Sequence, residues 1–119
     1  MKPVFVSHIL SALLGGLLLF ILSAASSAEI LKIVINDSIH PITDEYIGRA
    51  IAEAEHGKAQ ALLIEINTPG GLLESTRDII EKILASPVPV IIYVTPSGSR
   101  AASAGFFILE SADVAAMAP

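Results

Sequence analysis

The stretch Ser97-Gly98-Ser99-Arg100-Ala101-Ala102-Ser103-Ala104-Gly105-Phe106 lies between two apolar runs, Val88–Val94 upstream and Phe106–Leu109 at its end. Pro96, Ser97 and Gly98 form a turn between them, and the small residues from Ala101 to Gly105 allow close packing. Strand, tight turn and short helix, placed over 101–109, follow from that pattern. A strand delivers the chain to a sheet end, and a helix beginning there offers free N–H groups to a developing oxyanion. Ser103 is therefore the candidate nucleophile. Ser97 and Ser99 are rival hydroxyls, read as turn residues bonding locally.

The same plan recurs upstream. Leu62–Asn67 reads as a buried strand, broken by Thr68-Pro69-Gly70-Gly71, and Leu72, Leu73, Thr76, Ile79, Ile80, Ile83 and Leu84 follow helical spacing. The glycine turn either presents N–H groups at a site or is a plain loop with glycine chosen for positive φ. Neither a dinucleotide fingerprint nor a phosphate loop is present. Further upstream, Ile30–Ile35 is a β-branched strand, and Thr43 is the expected N-cap of an amphipathic helix striped by Ile47, Ala50, Ile51 and Ala54. Gly57 is its expected C′ glycine. Pro87–Val94 forms the third strand, with its prolines confined to the start, and Val114–Met117 begins a fourth. Alternating strands and helices predict an α/β fold with a mainly parallel sheet and a site at the strand C-ends. The glycine turn and the serine turn both fall there.

Composition narrows the function classes. Of 119 residues, 53% are hydrophobic and the net charge is −5. Mean hydropathy is +0.71, which points to a membrane segment, a buried parallel sheet, or both. Seven scattered Lys and Arg provide no basic cluster, so nucleic acid is not an expected partner. The absence of cysteine excludes disulfides, thiolate metal sites and Cys catalysis. His8, His40 and His56 show no ligand spacing, so neither metal nor cofactor is expected; His40 and His56 read as surface residues.

Lys2, the apolar run Ile9–Leu22 and the small residues Ser26-Ser27-Ala28 have the plan of a secretory signal peptide cleaved before Glu29. An uncleaved membrane anchor is the alternative. Either places the domain from Glu29 onward outside the cytoplasm.

Acyl transfer needs a nucleophile, a base, and N–H donors for the oxyanion. Ser103 can be the nucleophile, with the Gly71 and Ala104 N–H groups as donors. Gly71 would allow a backbone to approach a substrate carbonyl, while Ala102 and Gly105 clear space around Ser103. Gly70 and Leu72 flank the donor and are candidate substrate contacts. Lys32, Lys58 and Lys82 occupy surface-like positions, so no base is visible.

Ile66-Asn67-Thr68-Pro69-Gly70-Gly71, a helix, then Ala101-Ala102-Ser103-Ala104-Gly105 resembles the ClpP-like serine peptidases of the ClpP/crotonase superfamily. The leader, the first strand, the Ser38–Thr43 loop and the ending Ala116-Met117-Ala118-Pro119 resemble the NfeD-type membrane-bound serine proteases. The resemblance implies ClpP/crotonase-like repeated β-α units and a Ser–Lys endopeptidase, with Ser103 as nucleophile and Gly71 and Ala104 as oxyanion donors. It implies no cofactor, a homo-oligomer, and membrane association on the periplasmic side. Hydrophobic segments of membrane proteins are the implied substrates, stomatin-like proteins among them. In that family the lysine lies some tens of residues beyond the serine, past Pro119. Residues 29–119 then read as the N-terminal part of a truncated domain, with little activity alone. The alternative is a non-catalytic ClpP-fold binding or assembly module. A signal-peptide-peptidase-A-like enzyme lacks this short N-terminal plan. A crotonase-like acyl-CoA enzyme, which uses no serine nucleophile, is disfavoured by Ala101–Gly105.

Overall fold

The computed structural model describes residues 29–119. The proposed leader, residues 1–28, lies outside them. The chain runs β1 (Ile30–Asn36), α1 (Pro41–His56), β2 (Ala61–Asn67), α2 (Leu73–Leu84), β3 (Val90–Val94), α3 (Ala104–Glu110) and β4 (Val114–Met117). All strand pairings are parallel, in the order β1-β2-β3-β4. The expected α/β alternation and parallel sheet are therefore present. Among the described residues no helix is long and apolar enough to cross a membrane.

Register explains the core. Ile33 pairs with Ile64 and Ile64 with Ile92; one step along, Ile35, Ile66 and Val94 align. These side chains share one sheet face and are buried with Ile47, Ile51, Ile79, Ile83 and Ile108 from the helices. The period of two in the strands and the helical stripe of α1 thus meet in one layer. The other face carries Lys32, Val34, Leu63, Glu65 and Tyr93, all exposed or half-buried. Lys32 and Glu65 pair across it at 3.3 Å.

Several local expectations are corrected. Thr43 is not the N-cap of α1. His40 occupies that position and Pro41 opens the helix, where its missing N–H costs no intrahelical bond. The buried Thr43 hydroxyl donates instead to Ser38 O at 3.1 Å. Gly57 is not left-handed, with φ −74°; Lys58 takes the positive φ of 54°. β3 begins at Val90, after both prolines, because Pro89 cannot donate to the ladder. Helix α3 begins at Ala104 rather than Ala101, since Ala101 and Ala102 are drawn into pairing with Thr68. Leu72, Leu73 and Leu84 satisfy helical spacing yet are exposed, so the buried stripe of α2 is Ser75, Thr76, Ile79 and Ile83. Ser97 does not bond locally, for its hydroxyl donates to the main-chain oxygen of Pro119.

Ile64, fully buried on an interior strand, tests the assignment of the core. Ile64→Ala should lower unfolding free energy by about 2–5 kcal/mol in urea melts at an unchanged m-value. A change below about 0.5 kcal/mol would place it outside the core.

Candidate active site at the strand C-ends

Two backbone pairings continue the sheet beyond its strands. Ile39, past the end of β1, pairs with Gly71 past the end of β2. Ile39 N–H donates to Gly70 O at 2.8 Å, and Leu72 N–H donates to Ile39 O at 2.8 Å. In parallel, Thr68 pairs with Ala101 beyond β3. Thr68 N–H donates to Arg100 O at 2.7 Å, and Ala102 N–H donates to Thr68 O at 3.1 Å. Asn67 Oδ1 also accepts the Arg100 N–H at 3.1 Å, while its amide donates to Asn36 Oδ1 at 2.9 Å. The glycine turn and the serine turn are thus held by main chain at adjacent strand ends.

Ser103 sits where this pairing gives way to α3. Its φ of 52° and ψ of −114° are sparsely populated for a residue with a side chain. It is exposed, and its hydroxyl has no hydrogen-bond partner among the described residues. Gly70 lies directly against it: a Cβ built on Gly70 would fall 2.9 Å from Ser103 Cβ and 3.4 Å from Oγ. Gly70 also has φ +117°, so both conformation and space require glycine there.

Gly71 has a different reason to be glycine. A Cβ on it would lie 2.0 Å from Ile39 O. The space it frees is filled by the Ile39 backbone, and its own N–H, unbonded among the described residues, points away from that pairing. Ala104 N–H, following the serine, is likewise unbonded among the described residues. Gly105 clears room for the Thr68 methyl, since a Cβ there would meet Thr68 Cγ2 at 2.5 Å. Sequence reasoning placed Ser103, Gly70, Gly71 and Ala104 at one sheet end, and the structure brings them together. It missed Ile39 and Thr68, which hold them. Leu72 is exposed beside Gly71 and contributes its main-chain N–H to the Ile39 pairing.

The described lysines and histidines are engaged elsewhere or lie far along the fold. Lys82 meets Asp44 at 2.6 Å, Lys32 meets Glu65, and Lys58 follows the end of α1. His56 Nδ1 lies 2.6 Å from Ala52 O. His40 lies 3.6 Å from Asp37 in the loop that carries Ile39. There the Ser38 N–H donated to Asp37 Oδ1 at 2.6 Å, with help from His40, holds the Asp37 carboxyl below its ordinary value. Among the described residues no cluster of His, Asp and Glu could hold a metal ion.

The family model for the NfeD1b N-terminal domain matches residues 29–119. The chain belongs to that family. It is 39% identical over 103 residues to a membrane-bound protease, PH1510, of Pyrococcus horikoshii, covering 86% of this chain and 23% of that one. It is 34% identical over 114 residues to membrane protein NfeD1b of Bacillus subtilis, covering 92% and 25%. The chain therefore spans about a quarter of the length of these relatives. Among solved structures, a serine-to-alanine mutant of the 1510-N membrane-bound stomatin-specific protease superposes with TM-score 0.74 at 37% identity, covering 78% of this chain and 45% of that one. A lysine-to-alanine mutant of 1510-N, in complex with a substrate peptide, gives 0.72 at 38% identity, with 78% and 43% covered. A ClpP1 mutant from Listeria monocytogenes gives 0.62 at 25% identity, with 68% and 46% covered. The fold is ClpP-like.

Two outcomes test the turn geometry. Gly71→Ala should break the Ile39 pairing and cost about 1–3 kcal/mol, read as lowered stability together with faster Ile39 amide exchange. The Asp37 interaction favours the ionised form in the folded state. Its stabilisation should be complete above the usual carboxylate range near pH 4 and disappear as pH falls through the lowered folded value. The Tm difference between the native chain and Asp37→Asn should shrink over that acid window. A constant difference would mean that the carboxylate charge is not what stabilises the loop.

Proposed function

We propose that residues 29–119 are the serine-bearing part of a membrane-associated serine endopeptidase. The observation that carries this reading is Ser103 itself: exposed, at positive φ and packed on Gly70, with its hydroxyl and the N–H groups of Gly71, next to Gly70, and Ala104, next to the serine, unbonded among the described residues. Ser103 Oγ attacks a peptide carbonyl, forming a C–O bond as its proton passes to a base. The Gly71 and Ala104 N–H groups donate hydrogen bonds to the carbonyl oxygen as negative charge develops on it. Collapse expels the amine with that proton, and water then releases the acyl group. The base in this scheme is a lysine outside the described residues. The 1510-N protease, whose lysine-to-alanine mutant was solved with a substrate peptide, supports that choice. Substrates are hydrophobic segments of membrane proteins, stomatin-like ones included, by likeness to a stomatin-specific protease. The protein acts as a homo-oligomer on the extracytoplasmic side, its first 28 residues serving as signal peptide or anchor.

A non-catalytic binding or assembly module of the same fold is the second reading. It is favoured by the lack, among the described residues, of a lysine or histidine bonded to Ser103.

Labelling of the full chain with a fluorophosphonate probe separates them. The peptidase reading expects a phosphonylated Ser103 peptide by mass spectrometry and no labelling of Ser103→Ala. Labelling that survives this substitution removes Ser103 from the chemistry, and an unlabelled native chain favours the binding module.

A further inference from the structure

Thr68 stands between the two turns and is fully buried. Its main chain carries both hydrogen bonds of the pairing that leads into Ser103. Its side chain divides between the two turns. Oγ1 accepts the Gly70 N–H at 3.2 Å and lies 3.3 Å from Gly70 O, to which it donates. Cγ2 occupies the space left by the missing side chain of Gly105, in the first turn of α3. Hydroxyl and methyl therefore touch opposite halves of the site. A buried hydroxyl is costly to leave unpaired, so a partner supplied by the glycine turn fixes both groups. Gly70 O is also the acceptor for Ile39 N–H, which places the Thr68 hydroxyl in the same network as the outer clamp.

We propose that Thr68 is a positioning residue, which sets the glycine turn against the serine turn and so fixes the Gly71 N–H relative to Ser103. This rests on the reading of Ser103 as nucleophile and Gly71 as oxyanion donor. Thr68 is fully buried, and among the described residues its hydroxyl bonds only to Gly70. The hydroxyl governs Gly70–Gly71 and the methyl governs the start of α3.

The two functions are separable by substitution in the full chain in detergent micelles. Thr68→Val retains the methyl and the shape but deletes the hydroxyl. Thr68→Ser retains the hydroxyl and deletes the methyl. Loss of one neutral hydrogen bond corresponds to about a tenfold change. Gly70 amide exchange, followed by NMR, should accelerate about tenfold in Thr68→Val and remain near native in Thr68→Ser. With the fluorophosphonate probe, the maximal labelling rate should fall about tenfold in Thr68→Val at an unchanged half-saturating probe concentration, and by less in Thr68→Ser, which keeps the hydroxyl. A structural role alone would make both variants lose rate in proportion to their loss of Tm. Native Gly70 exchange in Thr68→Val overturns the proposal, as does a rate loss shared equally by the serine variant. Should Thr68→Val not fold, the native chain still decides. A Thr68 hydroxyl proton that exchanges slowly and shows a nuclear Overhauser contact to Gly70 supports the bond, and a freely exchanging one overturns it. An unlabelled native chain would sink the peptidase reading, leaving the exchange measurements to judge whether Thr68 holds the turn.

Discussion

The parallel pairing of main chain beyond the strand ends is the constraint on which the rest of the site depends. Strands usually end where the chain turns away. Here Ile39 and Thr68 keep the ladder going for one more residue, in two places, so that two loops inherit the spacing of the sheet. Buried backbone N–H and C=O groups must find partners, and at these positions the partners are one another. Both Ile39 and Thr68 are almost wholly excluded from solvent, which makes the pairing costly to break. An exposed serine turn on its own would be a mobile loop; tied to β2 by three hydrogen bonds, it becomes an extension of the sheet.

Close pairing sets the residue types. Three glycines leave three different gaps. Gly70 leaves room for Ser103, Gly71 for the Ile39 backbone, and Gly105 for the Thr68 methyl. Only the first concerns the serine directly. The other two let backbone and methyl come close enough to position it, which is why a region of small residues can hold an unusual serine conformation. Strain at Ser103 is tolerated because the residues on either side are fixed: Ala102 by Thr68, and Ala104 by burial in the core beside Ile108.

Most of the fold was legible in residue order. β-branched runs alternating with helical stripes imply a parallel sheet, and the order of strand and turn puts both turns at strand C-ends. Element limits were read less well, each for a local reason. Thr43 has the chemistry of an N-cap, but Pro41 opens the helix earlier and the Thr43 hydroxyl is drawn to Ser38. Gly57 has the freedom to be left-handed, but the next residue takes that conformation. Leu72 and Leu73 match the apolar stripe of α2 by count, yet they stand exposed where the helix leaves the glycine turn.

The amino-acid sequence by itself determined the class of fold, the alternation of strands and helices, and the placement of Ser103, Gly70, Gly71 and Ala104 at one end of the sheet. These follow from periodicity and turn chemistry, which act between near neighbours. What only the tertiary structure decided is how those residues are held. Ile39 looks like an ordinary apolar residue, and Thr68, though part of the Ile66–Gly71 motif, like an ordinary turn residue. Their roles come from hydrogen bonds to segments about thirty residues away, formed once the parallel register aligns the strand ends. The same holds for the separate reasons behind Gly70 and Gly71, because a missing Cβ gains meaning only from the atoms that fill its place.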